Sequence, residues 1–252
     1  MNVKTLGASG GLEPSQGTSA FLLTPTTLID AGTGLNRLDN KQLSRLQNVL
    51  LTHAHIDHIA CLPLLIDTLF ETLVSHHQAL TVWALPEVIK ALQTHVFNHV
   101  IWPDFAQLPS AEQPVLHYQS LSFWHDYTFD DDVTVTPFPV SHGVPACGYG
   151  VSTPSSNLAF SGDTGLSNTT VQSLNRLGAL DTLVIECAFP NQLDDLAESA
   201  CHLTPQRLAR LVAQLSTPPE ALLITHLKPP HRDTIIHQLH EALPPALVWQ
   251  VC

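Results

Sequence analysis

The sequence is poor in basic residues. Its 252 residues include ten Lys and Arg against twenty-two Asp and Glu, for a formal net charge of −12, and no Lys or Arg occurs from Ala91 to Asn175. A protein that grips nucleic acid needs a basic surface, because neutralising phosphates supplies much of the affinity. We therefore expect no nucleic-acid partner.

Cysteines and long apolar segments are also scarce. The five cysteines are odd in number and scattered: Cys61, Cys147, Cys187, Cys201 and Cys252. No disulfide framework follows from them, and we interpret Cys187 and Cys201 as small buried thiols rather than extra metal ligands. No apolar run approaches the roughly twenty residues that cross a membrane, and residues 1–7 lack the regions of a signal peptide. These absences predict a cytoplasmic protein with no membrane partner.

Length and composition favour one compact domain. Hydrophobic residues make up 44% of the chain, which is enough for a large core. The sequence has no repeat, no low-complexity run and no long linker, and α/β folds of this length commonly form one unit. We expect residues 1–252 to form a single domain.

The chain does contain a dense group of metal-ligand residues. Residues 50–59 read Leu-Leu-Thr-His-Ala-His-Ile-Asp-His-Ile, which places His53, His55, Asp57 and His58 close together behind an apolar run. An extended segment sends His53 and His55 to the same side. If a helix follows, Asp57 and His58 can reach a second ion. The spacing favours a metal site over a solvated polar turn.

Further ligands must come from downstream, because a catalytic zinc takes about three protein ligands and keeps one position open. Three other apolar runs end in a residue able to bind metal, namely His142, Asp163 and His226. Alone, either histidine would be read as an ordinary loop residue. The repeated pattern of a strand followed by a ligand favours a shared role at strand ends.

This order of motifs, each at a strand end, resembles the metallo-β-lactamase superfamily over nearly the whole chain. The resemblance implies an α/β fold, a four-layer αββα sandwich with its site where strand ends meet. It also implies two divalent ions; zinc suits the histidine-rich set, and Mn²⁺ or Fe²⁺ can occupy similar sites. The implied ligands are His53, His55 and His142 for the first ion, Asp57, His58 and His226 for the second, and Asp163 as the bridge.

Fold and ligands do not select a reaction. Glu186 ends another apolar run, and His202 precedes a helix whose start is marked by Thr204 as N-cap and Pro205 in the first turn. A histidine oriented by a carboxylate can protonate the poor alkoxide leaving group of a phosphodiester. The alternatives are a solvated glutamate and a helix-start histidine without chemistry. With Asp57, these two residues are our candidate catalytic residues.

Flanking segments resemble the class II cyclic-nucleotide phosphodiesterases, at residues 6–11, 53–63, 202–205 and 224–229. The resemblance implies hydrolysis of 3′,5′-cyclic AMP or GMP to the 5′-monophosphate. A hydroxide bridging the two ions would attack phosphorus, and His202, paired with Glu186, would protonate the departing 3′-oxygen. Residues 95–105 resemble the family's helical insertion, with Trp102 and Phe105 as candidates for stacking on the base. Lys228 is either a phosphate contact or a surface residue.

Two other readings stay open. One is another phosphodiesterase of the same branch, acting on RNA ends like the tRNA 3′-processing endonucleases or on a different cyclic phosphate. The sequence lacks the Gly-rich basic arm of those endonucleases. The other is a non-catalytic zinc-binding domain, which the complete ligand set disfavours. Dimers are common among relatives, so a homodimer is also open.

Overall fold

The computed structural model describes residues 3–129 and 132–252. The described residues form two compact units, and each unit consists of two segments of the chain. Within the described residues, the amino-terminal unit contains residues 3–7 and Ser15–Ser122, and the carboxyl-terminal unit contains Ala8–Pro14 and Phe123–Cys252. The single domain expected from the sequence stays a prediction. Residues 1 and 2 of the segment inspected for a signal peptide lie outside the described residues.

The amino-terminal unit is built on a seven-stranded mixed sheet with the order β2-β1-β3-β4-β5-β6-β9. Its strands are β1 (Lys4–Ser9), β2 (Gly17–Thr18), β3 (Ala20–Thr24), β4 (Thr27–Ile29), β5 (Asn48–Leu50), β6 (Leu80–Ala84) and β9 (Leu116–Ser120). A separate pair is formed by β7 (Pro109–Ser110) and β8 (Gln113–Pro114). Strands β4, β5, β6 and β9 pair in parallel, so their carboxyl ends lie at one edge of the sheet.

Four helices accompany this sheet. They are α1 (Asn40–Leu43), α2 (Ile56–Ile59), α3 (Leu62–His76) and α4 (Pro86–His95), together with a 3-10 helix at Thr33–Arg37. Helix α3 buries Leu62, Leu65, Ile66, Leu69 and Leu73, the spacing of a single apolar face. This spacing of apolar residues explains why the segment folds as a helix with one buried face.

One helical stretch departs from the expectation about membrane-length segments. By length and composition alone, Ile56–His76 is long and apolar enough to cross a membrane, with 21 residues and a mean hydropathy of 1.4. Half of its most apolar window is buried inside the structure. Core helices pass the same test, so this stretch is weak evidence for a membrane span.

The carboxyl-terminal unit is built on a second seven-stranded sheet, with its strands in chain order. They are β10 (Tyr127–Phe129), β11 (Val133–Pro139), β12 (Cys147–Thr153), β13 (Ser156–Phe160), β14 (Thr182–Glu186), β15 (Ala221–Thr225) and β16 (Val248–Val251). Strands β10 to β13 pair antiparallel, and β13 to β16 pair in parallel. Strands β11, β13, β14 and β15 therefore all end at the same edge of this sheet.

The helices of this unit cover its core. They are α5 (Asn168–Leu177), α6 (Asp194–Ser199), α7 (Pro205–Val212) and α8 (Arg232–Ala242), with 3-10 helices at Asn191–Leu193 and Pro229–His231. Leu208, Leu211 and Val212 of α7 lie in the buried cluster, and Leu215 packs against it. Burying such side chains is the main stabilising contribution to a fold of this kind.

Helix α7 begins where its sequence predicts. The Thr204 hydroxyl accepts a hydrogen bond from the backbone N–H of Arg207 at 3.3 Å, and Pro205 occupies the first turn. An N-cap hydroxyl satisfies one of the backbone donors that a helix start leaves without a partner. Thr204 thereby fixes the point at which the chain leaves His202 and enters the helix.

We expect Thr204→Ala to lower the free energy of unfolding by about 1–2 kcal/mol, because α7 loses its cap. Thr204→Ser keeps the hydroxyl and should recover most of that loss. Urea denaturation followed by circular dichroism measures both variants. Equal destabilisation by Ala and Ser would show that the methyl group, and not the cap, carries the effect.

Candidate functional site

In the amino-terminal unit, the His-rich motif lies at the end of β5 and the start of α2. His53 is fully buried, His55 is the half-buried N-cap residue of α2, and His58 is buried within that helix. The ring of His53 lies 4.6 Å from that of His55 and 4.1 Å from that of His58, centroid to centroid. Asp57 is half-buried, with its carboxylate 4.0 Å from Nε2 of His58. The strand-to-helix turn thus gathers all four candidate ligands of the motif.

Asp30, which the sequence analysis missed, organises these histidines. It is fully buried directly after β4, and its carboxylate accepts a hydrogen bond from Nδ1 of His58 at 2.7 Å. It also accepts from the backbone N–H and the hydroxyl of Thr52. Burial raises the pKa of Asp30, while His58 and Thr52 oppose that rise. The run Thr27-Leu28-Ile29-Asp30 repeats the pattern of a strand followed by an acid, which could have revealed it.

The same network orients His53. Its Nδ1 lies 3.0 Å from the hydroxyl oxygen of Thr52. Because that hydroxyl donates to Asp30, its oxygen accepts from His53, which assigns the proton to Nδ1 and the lone pair to Nε2. His58 has the same tautomer through its own bond to Asp30. Metal-binding histidines typically show this arrangement, with the second ring nitrogen donating to an oxygen.

In the carboxyl-terminal unit, the candidate residues follow strands that end at one sheet edge. His142 comes after β11, Asp163 after β13 and His226 after β15, while Glu186 is the last residue of β14. Ligand sites in open α/β sheets commonly lie outside the carboxyl ends of strands. The side-chain contacts between these strand ends agree with that placement.

Glu186 and His202 form a buried pair. Nδ1 of His202 donates to Oε1 of Glu186 at 2.6 Å. The Glu186 carboxylate also accepts from three backbone N–H groups, those of Thr164, Ala188 and Leu203. Burial disfavours the charged form of the histidine ring, but the Glu186 carboxylate outweighs it, and the pKa of His202 rises to about 9. Burial raises the pKa of the Glu186 carboxyl, while the hydrogen bonds from His202 and Thr164 oppose that rise.

Asp163, His202 and His226 form a compact buried cluster. Their ligand atoms all lie within 4.8 Å of one another, and Nε2 of His226 is 3.3 Å from a carboxylate oxygen of Asp163. The rings of His202 and His226 stack with centroids 5.3 Å apart. The cluster places the candidate proton donor beside two candidate ligands.

His142 lies next to this cluster and is half-buried. Its Nδ1 donates to the backbone carbonyl of Cys201 at 3.3 Å, and its ring centroid is 5.2 Å from that of His202. Cys201 has a left-handed backbone conformation (φ 55°), which turns the chain just before His202. The hydrogen bond again assigns the lone pair of the ring to Nε2.

The turn that carries His226 depends on Gly10. His226 has φ 63°, and its backbone N–H donates to the carbonyl of Ala8 at 2.6 Å. The N–H of Gly10 in turn donates to the carbonyl of Leu227 at 3.1 Å. A Cβ atom on Gly10 would overlap the backbone carbonyl of His226. Only glycine permits this close approach.

The segment before His202 is clamped by Arg207. The guanidinium of Arg207 binds the carboxylate of Asp194 through two hydrogen bonds of 2.6 and 2.8 Å and that of Glu198 through one of 2.9 Å. The backbone N–H of His202 donates to the carbonyl of Ala197 at 2.8 Å. A bidentate guanidinium is geometrically specific, so it fixes α6 against the start of α7.

The donors in both units fit divalent metal ions. His53, His58 and His142 each donate Nδ1–H to an oxygen and present Nε2, and Asp163 supplies a carboxylate beside His226. Nitrogen and carboxylate oxygen donors suit zinc, manganese and iron. Cys187 is buried and belongs to the core cluster, in agreement with its interpretation as a small buried thiol, whereas Cys201 is only half-buried, so the expectation of burial is wrong for it.

Two expectations about the 95–105 segment are wrong. Helix α4 ends at His95, and the following residues form turns and bends, with φ 62° at His99, rather than a helical insertion. Phe105 is 3% exposed and packs against Phe70 and Phe97, so it is not available to stack on a base. Phe97 and Phe105 thus belong to the core, whereas Trp102 is half-buried.

A family model described as a beta-lactamase superfamily domain matches residues 26–227. The chain belongs to the metallo-β-lactamase superfamily. Solved structures agree with this assignment. The metallo-beta-lactamase fold protein YhfI from Bacillus subtilis has a TM-score of 0.77 at 19% identity and covers 99% of this chain and 95% of its own. The expected metallo-β-lactamase-like α/β fold is thus confirmed.

Two relatives of this chain are named as phosphodiesterases. The 3′,5′-cyclic-nucleotide phosphodiesterase 1 of Saccharomyces cerevisiae is 34% identical over 94 residues, which are 37% of this chain and 24% of that protein. The 3′,5′-cyclic-nucleotide phosphodiesterase of Schizosaccharomyces pombe is 24% identical over 192 residues, covering 74% and 49%. The chain therefore spans at most about half the length of these two relatives. A structure of unliganded yeast PDE1 has a TM-score of 0.76 at 18% identity and covers 99% of this chain and 96% of its own.

We expect Asp30→Asn to weaken metal binding by about 10–100-fold, because the ring of His58 loses a charged acceptor while the side chain keeps its size. Zinc affinity, measured by competition with a chromophoric chelator, tests this. Asp67→Asn, on the exposed face of α3, is the matched control. Equal zinc affinity of the Asp30 and Asp67 variants would contradict an orienting role for Asp30.

Proposed function

We propose that this chain is a metal-dependent phosphodiesterase that hydrolyses 3′,5′-cyclic nucleotides to 5′-nucleoside monophosphates. The observation that carries the proposal is the 2.6 Å hydrogen bond between Glu186 and His202, buried beside Asp163 and His226. The names of the relatives, all 3′,5′-cyclic-nucleotide phosphodiesterases, favour the same substrate class.

Seven residues are proposed as metal ligands. They are His53, His55 and His142 for one ion, Asp57, His58 and His226 for another, and Asp163 for both. Divalent ions bound there would supply Lewis acidity, polarising phosphoryl oxygens and lowering the pKa of bound water. The tautomers set by Asp30, Thr52 and Cys201 support this assignment, because they place ring lone pairs on Nε2.

His202 is proposed to protonate the leaving 3′-oxygen of the ribose. Its Nδ1 is held by Glu186, so the proton to be transferred resides on Nε2. A ribose alkoxide is a poor leaving group, and a positioned acid lowers the barrier to its departure. Glu186 stabilises the charged ring and fixes its plane, much as an orienting carboxylate does in other acid–base pairs.

The charge of the chain favours a small substrate. With a net charge of −12, its surface would repel a long polyanion, whereas a single cyclic phosphate needs only local positive groups. The leaving groups of lactam and thioester hydrolysis depend less on a dedicated acid. The Glu186–His202 pair therefore favours phosphodiester chemistry within the superfamily.

The first test is hydrolysis of 3′,5′-cyclic AMP and cyclic GMP by zinc-loaded protein, with products separated by chromatography. We expect the 5′-monophosphate from wild type and none from Asp163→Ala, which should also bind less metal. Activity on bis(4-nitrophenyl) phosphate without turnover of either cyclic nucleotide would refute the proposed substrate. Inactivity on every phosphodiester by fully metal-loaded protein would refute the reaction.

His202→Ala should keep its metal content while turnover of the cyclic nucleotide falls roughly 10²–10⁴-fold, because the proton donor is lost. Metal content by mass spectrometry and kcat for cyclic AMP are measured together. His237→Ala, on an exposed position of α8, is the control for loss of a histidine. Undiminished turnover in His202→Ala would remove this residue as the acid.

Glu186→Gln should lower kcat less than His202→Ala does, since the acid remains but loses its charged partner. The amide also cannot accept from all four donors, so some loss of stability is expected. Comparison of kcat with the thermal midpoint separates the two effects. A kcat equal to that of wild type would show that the carboxylate charge is not needed.

A further inference from the structure

Lys228 occupies a defined position two residues after His226. It follows β15 and is half-buried. Its ammonium donates a hydrogen bond to the backbone carbonyl of Gly10 at 2.6 Å, and this is the loop that holds the His226 turn. The long, flexible side chain is therefore fixed in one direction.

The ammonium of Lys228 retains unused hydrogen-bonding capacity. An ammonium has three donors, and here one of them meets a neutral carbonyl. In residues 3–129 and 132–252, no carboxylate lies within 4.0 Å of it. In contrast, Arg207 of the same unit has two carboxylate partners. A half-buried ammonium that has no carboxylate partner, in a protein of net charge −12, is suited to bind an anionic ligand.

Lys228 and the candidate proton donor, His202, both lie beside Phe189. Its Nζ is 6.0 Å from the ring centroid of Phe189, and that ring is 5.7 Å from the ring of His202 in an edge-on arrangement. Lys228 and His202 thus flank one aromatic side chain. Phe189 is half-buried and supplies an apolar surface between them.

We propose that Lys228 binds a non-bridging oxygen of the substrate phosphoryl group and so selects anionic phosphodiesters over uncharged esters. This inference rests on the proposed function and adds a specificity-determining residue to it. The bond to Gly10 holds the side chain and leaves two N–H donors of the ammonium for the anion. A localised ammonium is a common partner for a single phosphate oxygen.

The test compares Lys228→Met, which removes the charge, with Lys228→Arg, which keeps it. The probe is 5′-AMP, titrated calorimetrically into zinc-loaded protein, and KM and kcat for cyclic AMP are measured alongside. We expect Lys228→Met to bind 5′-AMP about 10–100-fold more weakly and to show a matching rise in KM, with kcat changed less. Lys228→Arg should recover most of the affinity. Lys90→Met, exposed on α4, is the control.

A purely structural role for Lys228 predicts a different result. If the side chain only fastens the Gly10 loop, the thermal midpoint falls in Lys228→Met while the affinity for 5′-AMP stays at the wild-type value. That outcome would overturn the inference. The inference would also be overturned if Lys228→Met lost as much activity on the uncharged 4-nitrophenyl acetate as on bis(4-nitrophenyl) phosphate.

The inference can fail separately from the proposed function. Wild-type turnover of cyclic AMP with unchanged 5′-AMP binding in Lys228→Met refutes the role of Lys228 alone. If wild type turns over no cyclic nucleotide, inorganic phosphate replaces 5′-AMP as the probe. Equal phosphate affinity of wild type and Lys228→Met, or no phosphate binding by either, would then overturn the inference.

Discussion

The buried carboxylate of Glu186 is the constraint on which the carboxyl-terminal unit's site depends. Leaving such a charge in the interior without partners would cost several kcal/mol, so its oxygens must be fully hydrogen-bonded. Its donors come from three separate stretches of chain: Thr164 after β13, Ala188 after β14, and His202 with Leu203 before α7. One side chain therefore sets three loops at once. The imidazole of His202 takes its position because it supplies one of the hydrogen bonds that the Glu186 carboxylate needs.

Asp30 has the corresponding place in the amino-terminal unit. It too is a buried acid at a strand end, and it fixes His58 directly and His53 through Thr52. In both units, a candidate site histidine donates a hydrogen bond to a fully buried carboxylate. Such carboxylates set the tautomer and the ring orientation of the histidine that they bind, and so affect its properties as a metal ligand or as an acid.

What the sequence could predict was local. A strand followed by a histidine or an aspartate, the turn from β5 into α2, and the Thr204–Pro205 helix start all depend on neighbouring residues, and the structure has each of these elements. The partners of those residues lie far along the chain. Asp30 and His58 are 28 residues apart, and Gly10 and Lys228 are 218 apart. The core packing of Phe105 and the irregular conformation of residues 95–105 also depend on tertiary contacts, so local sequence patterns did not predict them.

The short segment Ala8–Pro14 has an evolutionary consequence. It belongs to the carboxyl-terminal unit although residues of the amino-terminal unit flank it on both sides, and its backbone pairs with the His226 turn of its own unit. A recombination event that joined residues 123–252 to a foreign amino-terminal half would discard that segment. The new protein would lack the glycine that lets the His226 turn close. The two halves of such a gene are therefore expected to be inherited together.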